Sequence, residues 1–100
     1  MPSLKPETSV LESGLVVLTA RRPGSPAVAV VMTYRAGAFF DPPGLSGIAH
    51  LTEHMMFRGT PRFPHGRIDA MTGRVGGTNN AVTTADHALY YFVLPDGPWR

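Results

Sequence analysis

No cysteine occurs in the 100 residues, which excludes a disulfide framework and any thiolate metal site. A metal, if bound, has to be held by histidine and carboxylate. Glutamate is also scarce: Glu7, Glu12 and Glu53 are the only ones, and none follows Glu53. Long apolar runs are missing. The longest run free of both polar residues and tyrosine, residues 27–32, is far too short to cross a bilayer, so no membrane partner is expected. Met1-Pro2-Ser3-Leu4-Lys5 has no apolar stretch of the signal-peptide kind behind it, and the expected location is cytoplasmic. Positive charge is present but not organised. The net charge is +2, and Arg21-Arg22 is the only adjacent basic pair. Without a basic stripe interleaved with aromatics, no nucleic-acid partner is expected.

What is present suits one globular domain with a modest core: 43% apolar and 16% charged residues, without repeats or a dividing linker. Residues 15–18 read as a first strand after the Ser13-Gly14 turn. Residues 27–34 are continuous and rich in β-branched types, which predicts a strand buried on both faces. After loop chemistry at Asp41-Pro42-Pro43-Gly44, Ser46 can cap a helix on which Ile48, Leu51, Thr52 and Met55 share a face. Gly59 is placed to end that helix, with Pro61 just beyond. A shorter helix is predicted over 67–74, and two strands near 79–84 and 87–94. The order predicts an α+β fold, a two-layer sandwich with helices packed on one face of a mostly antiparallel sheet.

The chemistry lies in His50-Leu51-Thr52-Glu53-His54. On a helix, positions i and i+4 stand one above the other and i+3 lies beside them. Both imidazoles can then reach one ion, with the Glu53 carboxylate alongside. Neutral imidazole nitrogens are good Zn²⁺ ligands, and a carboxylate so placed can take a proton from water at the ion. The order mirrors the His-Glu-x-x-His motif of zincins. The other reading of these residues is a pair of half-buried core histidines beside a surface glutamate. His65 after Pro64 and His87 near a strand start read as exposed and structural, respectively. Met55-Met56-Phe57 read as packing. Gly76-Gly77 lacks the Lys-Ser/Thr of a phosphate loop.

The surroundings of the motif are more specific. Gly47-Ile48-Ala49-His50, the exit Met55-Met56-Phe57 and the stop Gly59-Thr60 resemble the motif region of the M16 (pitrilysin) metallopeptidases. The likeness extends to Gly76-Gly77-Thr78-Asn79-Asn80-Ala81-Val82-Thr83-Thr84 and Tyr90-Tyr91. It also reaches back to Ser13-Gly14-Leu15, where Ser13 replaces the family's Asn. Asp41 falls where relatives often carry Glu, a departure with no evident chemical consequence. The resemblance implies a zinc-dependent peptidase in which His50 and His54 ligate the metal and Glu53 is the general base. It implies that residues 77–84 form a sheet edge for a peptide laid down as an added strand, with Asn80 and Ala81 as substrate-binding positions. The implied partners are a peptide or unfolded polypeptide substrate and a homologous second domain or subunit.

A catalytic zinc needs three protein ligands, and the motif offers two. The resemblance implies a glutamate on a later helix, and Asp69, Asp86 and Asp96 are not assigned to that role. Residues 1–100 are therefore expected to be the N-terminal part of a single peptidase domain, incomplete at its C-terminus. The turn at 95–98, after which Trp99-Arg100 add no closing element, agrees with that expectation. Such a chain is expected to bind zinc weakly and to turn over peptides negligibly on its own. The alternative is a non-catalytic scaffold or partner subunit of an M16-type assembly. Inactive partners usually lose a motif residue, and this chain keeps all three.

Overall fold

A computed structural model describes residues 4–97. The start Met1-Pro2-Ser3 and the closing residues 98–100 lie outside them, so the turn expected at 95–98 is described only in part. Five strands and two helices appear: β1 (Pro6–Val10), β2 (Val16–Ala20), β3 (Ala27–Tyr34), α1 (Ile48–Met56), α2 (Arg67–Arg74), β4 (Thr78–Thr83) and β5 (Ala88–Pro95). A single 3-10 turn, Ala38–Phe40, precedes α1. The fold is α+β, and every strand pairing is antiparallel.

The strands form two sheets rather than the one expected. β1 and β2 make a two-stranded hairpin, while β3, β5 and β4 form a three-stranded sheet in that order. β1 was not foreseen because its residues, Pro-Glu-Thr-Ser-Val, carry no apolar alternation. It exists through pairing with β2, and Pro6 is tolerated because it opens an edge strand.

The faces of β4 position the helices. Asn79 and Thr83 lie on one face, being four residues apart on a strand. Asn79 Nδ2 donates to Thr72 Oγ1 and to Asp69 Oδ1 on α2, each at 3.2 Å. Thr83 Oγ1 donates to Glu53 Oε2 on α1 at 2.5 Å. Both helices therefore sit on the same side of the sheet, the two-layer arrangement expected. Gly77 leads into β4 where a Cβ would come within 2.6 Å of Leu94 Cδ2 and 2.9 Å of Val93 O, so only glycine lets the strand start this close to β5.

Two packing expectations need correction. β3 is not buried on both faces: Val30 is 56% exposed and Val31 54%. It is an edge strand, and the helices pack chiefly on β4 at the opposite edge of the sheet. On α1 the less exposed residues are Ile48, Ala49 and Glu53, and Ile48, Ala49, Thr52 and Met56 line an apolar hollow of about 430 Å³ with Tyr34 and Tyr90. Leu51 and Met55 point outward, so the packed face is rotated from the one expected. Ala88 is the only buried hydrophobic residue among those described. The radius of gyration, 16.0 Å, exceeds the ~13 Å usual for a closed domain of about 100 residues, in keeping with open apolar faces.

Candidate metal centre

α1 begins at the N-cap residue Gly47, and no side chain of the cap itself bonds to the helix. Ser46 does not fill that role. Asp41 does, from across the loop: its Oδ2 accepts the N–H of Gly47 at 2.7 Å and its Oδ1 that of Ala49 at 3.0 Å. A carboxylate at a helix start satisfies otherwise unpaired N–H groups and suits the positive end of the helix dipole. This is the physical consequence of Asp41 that sequence reading did not find. The helix ends at Met56 with Phe57 as C-cap, two residues before Gly59. Gly59 instead lies where the backbone has φ 109° and a Cβ would meet His65 N at 2.5 Å, so it folds the exit loop against the start of α2.

Within this frame His50 and His54 bring their Nε2 atoms to 3.0 Å, with ring centroids 4.7 Å apart. Two nitrogens each ~2.0–2.1 Å from a tetrahedral zinc lie about 3.3 Å apart, so a shift of a few tenths of an ångström accommodates the ion. The same spacing also suits an N–H···N bond between neutral rings, one protonated on Nε2 and its neighbour on Nδ1. Ligand atoms of His50, Glu53 and His54 all fall within 4.8 Å of one another. Two imidazoles, with no thiolate, suit a hydrolytic zinc site that keeps a carboxylate beside the ion as a base. Both histidines are exposed, and Glu53 is the least exposed of the three.

Glu53 faces the sheet. Its carboxylate accepts from Thr83 and lies near Tyr90. Burial pushes the Tyr90 phenol above its usual value, and the charge of Glu53 and then Tyr34 add to the rise. Phe57 and Tyr34 flank that ring at centroid distances of 6.3 and 5.9 Å.

Asn80 and Ala81 stand beside the motif. A hollow of about 290 Å³ has Glu53, His54, Asn80 and Ala81 on its wall together with His65 and Asp69. β4 pairs with β5 on one side only, leaving its other edge open among the described residues. In the β4–β5 hairpin Thr84 N donates to His87 O at 2.8 Å. Alternation from that pair assigns Val82 and Asn80 to the ladder with β5 and turns the backbone groups of Ala81 to the open edge. The Ala81 N–H is taken there by Asn80 Oδ1 at 2.8 Å. His65, read from sequence as simply exposed, is exposed but lines the same hollow. His87 is structural as expected: its Nδ1 lies 2.7 Å from Asp86 Oδ1 and 2.9 Å from Thr84 Oγ1 in the hairpin turn.

Thr83 is the contact that sequence reading missed. It lies inside the stretch that carried the family likeness, but its partner is 30 residues away and nothing local signals the pairing. No helix among the described residues is long and apolar enough to cross a membrane.

Residues 16–97 match the profile described as Insulinase (Peptidase family M16). The chain is similar to insulin-degrading enzyme of Drosophila melanogaster, 38% identical over 88 residues, covering 86% of this chain and 9% of that protein. It is also similar to an uncharacterized zinc protease of Rickettsia bellii, 36% identical over 83 residues, covering 83% of this chain and 20% of that one. Among solved structures, a protease from Helicobacter pylori superposes with a TM-score of 0.87 at 31% identity, covering 94% of this chain and 22% of its own. The chain thus spans less than a quarter of the length of each of these proteins.

Proposed function

Because the chain belongs to peptidase family M16, the insulinase family, we propose that it carries the metal-binding and base-bearing part of a zinc-dependent metalloendopeptidase. In this reading residues 1–100 are the N-terminal part of one peptidase domain, and the third ligand and a homologous second domain or subunit come from elsewhere. The observation that carries it is the pair of Nε2 atoms 3.0 Å apart, with Glu53 alongside and the open edge of β4 next to them.

His50 and His54 would hold the metal. A bound Zn²⁺ supplies Lewis acidity and lowers the pKa of water towards ~7. Asn80 and Ala81 sit where an extended peptide or unfolded polypeptide can add as a strand, its main chain pairing with the free edge. That docking fixes the scissile carbonyl beside α1 and removes much of the entropic cost of bringing it to attacking water. Glu53 takes the proton from that water and returns it to the departing amine, the ordinary general base and acid exchange of peptide hydrolysis.

The test is zinc content and affinity of the protein, compared with His50→Ala and His54→Ala. Stoichiometric zinc abolished by either substitution is the expected result. In the full-length protein, Glu53→Gln should keep the zinc and lose chelator-sensitive cleavage of an unfolded polypeptide. Zinc retained by both alanine variants would overturn the assignment.

A further inference from the structure

The geometry points to Thr83 as the positioning residue that aims the Glu53 carboxylate, an inference that rests on the peptidase reading above for its kinetic consequence. Glu53 has three side-chain torsions, and fixing them costs rotamer entropy. A base must also be held within hydrogen-bond reach of the proton that it removes. Among the described residues Thr83 is the one hydrogen-bond donor to Glu53. A carboxylate only accepts, so the hydroxyl donates, and it bonds Oε2 in particular. Oε1 is left free to take a proton.

The donor is itself well fixed. Thr83 is β-branched, with restricted χ1, and is the last residue of β4, paired with Ala88, the one buried hydrophobic residue among those described. Two residues earlier on the same face, Ala81 lines the hollow that Glu53 shares with His54. The strand that offers its edge to the peptide is thus the strand that holds the base. Thr83 sets the distance between attacking water and docked carbonyl through one rigid element, a coupling that a loop-borne donor could not give.

The test compares wild type, Thr83→Val and Thr83→Ser in the full-length, metal-loaded protein. Valine keeps the shape and removes the hydroxyl, while serine keeps the hydroxyl. Circular dichroism and zinc stoichiometry serve as controls for folding and for the metal site. Expected for Thr83→Val is a kcat lower by about 10- to 100-fold, with KM and zinc affinity within about twofold of wild type and recovery in Thr83→Ser. Equal kcat in Thr83→Val and wild type overturns the inference and leaves the peptidase reading standing. If wild type itself shows no chelator-sensitive cleavage, the peptidase reading fails and the contact is read directly. At one fixed pH, the side-chain carboxyl ¹³C resonance of Glu53 should move in Thr83→Val and return in Thr83→Ser. An unmoved resonance overturns the positioning role.

Discussion

The Asp41 carboxylate accepts the backbone N–H of Ala49 at 3.0 Å, one residue before the first histidine of the motif. With its second oxygen on Gly47, Asp41 ties the loop that precedes α1 to the first turn of that helix. Asp41→Ala leaves these N–H groups without a cap. The expected loss is about 1–2 kcal/mol of stability, seen as a lower thermal midpoint, with Asp41→Asn falling between, because its amide offers one acceptor oxygen for the two N–H groups. Because the cap fixes the turn that carries His50, zinc affinity should fall in the same order across the three proteins. An Asp41→Ala midpoint equal to wild type would show that the helix start is held by other means.

How much was legible beforehand divides along local and non-local lines. The boundaries of β3 and α2 were read correctly because apolar content, β-branching and flanking turn residues act within a few positions. The convergence of His50 and His54 was legible for the same reason, since helix geometry alone stacks positions i and i+4. The Asp41 cap, the Thr83–Glu53 bond and the pairing of polar β1 were not, because each depends on a partner brought in by tertiary structure. The exposure of β3 shows the complementary limit: an apolar run states that a strand can be covered, not which element covers it.

Gly37 is buried, and a Cβ there would lie 2.5 Å from both Ala85 C and Asp86 N. The 3-10 turn after it is pinned to the β4–β5 hairpin, with Ala38 N donating to Thr84 O and Phe39 N to Ala85 O. Gly37→Ala must therefore push backbone from backbone, and is expected to cost about 2–3 kcal/mol. Denaturant unfolding checks this. Ser25→Ala, at a half-buried position just before β3, provides the contrast and should stay within ~1 kcal/mol of wild type.

The hairpin turn itself supplies a pH dependence. Hydrogen bonds from His87 and then Thr84 hold the Asp86 carboxyl below its ordinary value of 3.8. A depressed folded-state pKa contributes stability at pH above 3.8, and that contribution is lost as pH falls through the lowered folded value. Since Asp86 is exposed, the effect is local to the turn. Protection of the amides at residues 84–87, taken relative to the intrinsic exchange rate at each pH, should fall on acidification through that window in wild type. Asp86→Asn should exchange faster at neutral pH and show less of the acid-dependent step. A profile in Asp86→Asn that matches wild type at every pH would remove Asp86 as the cause.

The open edge of β4 makes the sharpest prediction about substrate docking. Ala81 turns its N–H to that edge, where a docked strand would replace Asn80 Oδ1 as its acceptor, whereas Val82 belongs to the ladder with β5. Proline at an edge position removes a donor without breaking the ladder, but proline at a ladder position removes a strand–strand bond. Binding of a short extended peptide to the Glu53→Gln protein separates the two, because no cleavage competes with the measurement. Ala81→Pro added to that background should weaken the peptide by about 5- to 10-fold, the size of one net hydrogen bond, and leave the fold intact by circular dichroism. Val82→Pro should instead lower the thermal midpoint, since it breaks a bond that holds β4 to β5. If Ala81→Pro folds normally and binds the peptide as tightly as its parent, the peptide does not pair with this strand at Ala81. The closeness of Asn80 and Ala81 to the histidines would then be a matter of packing alone.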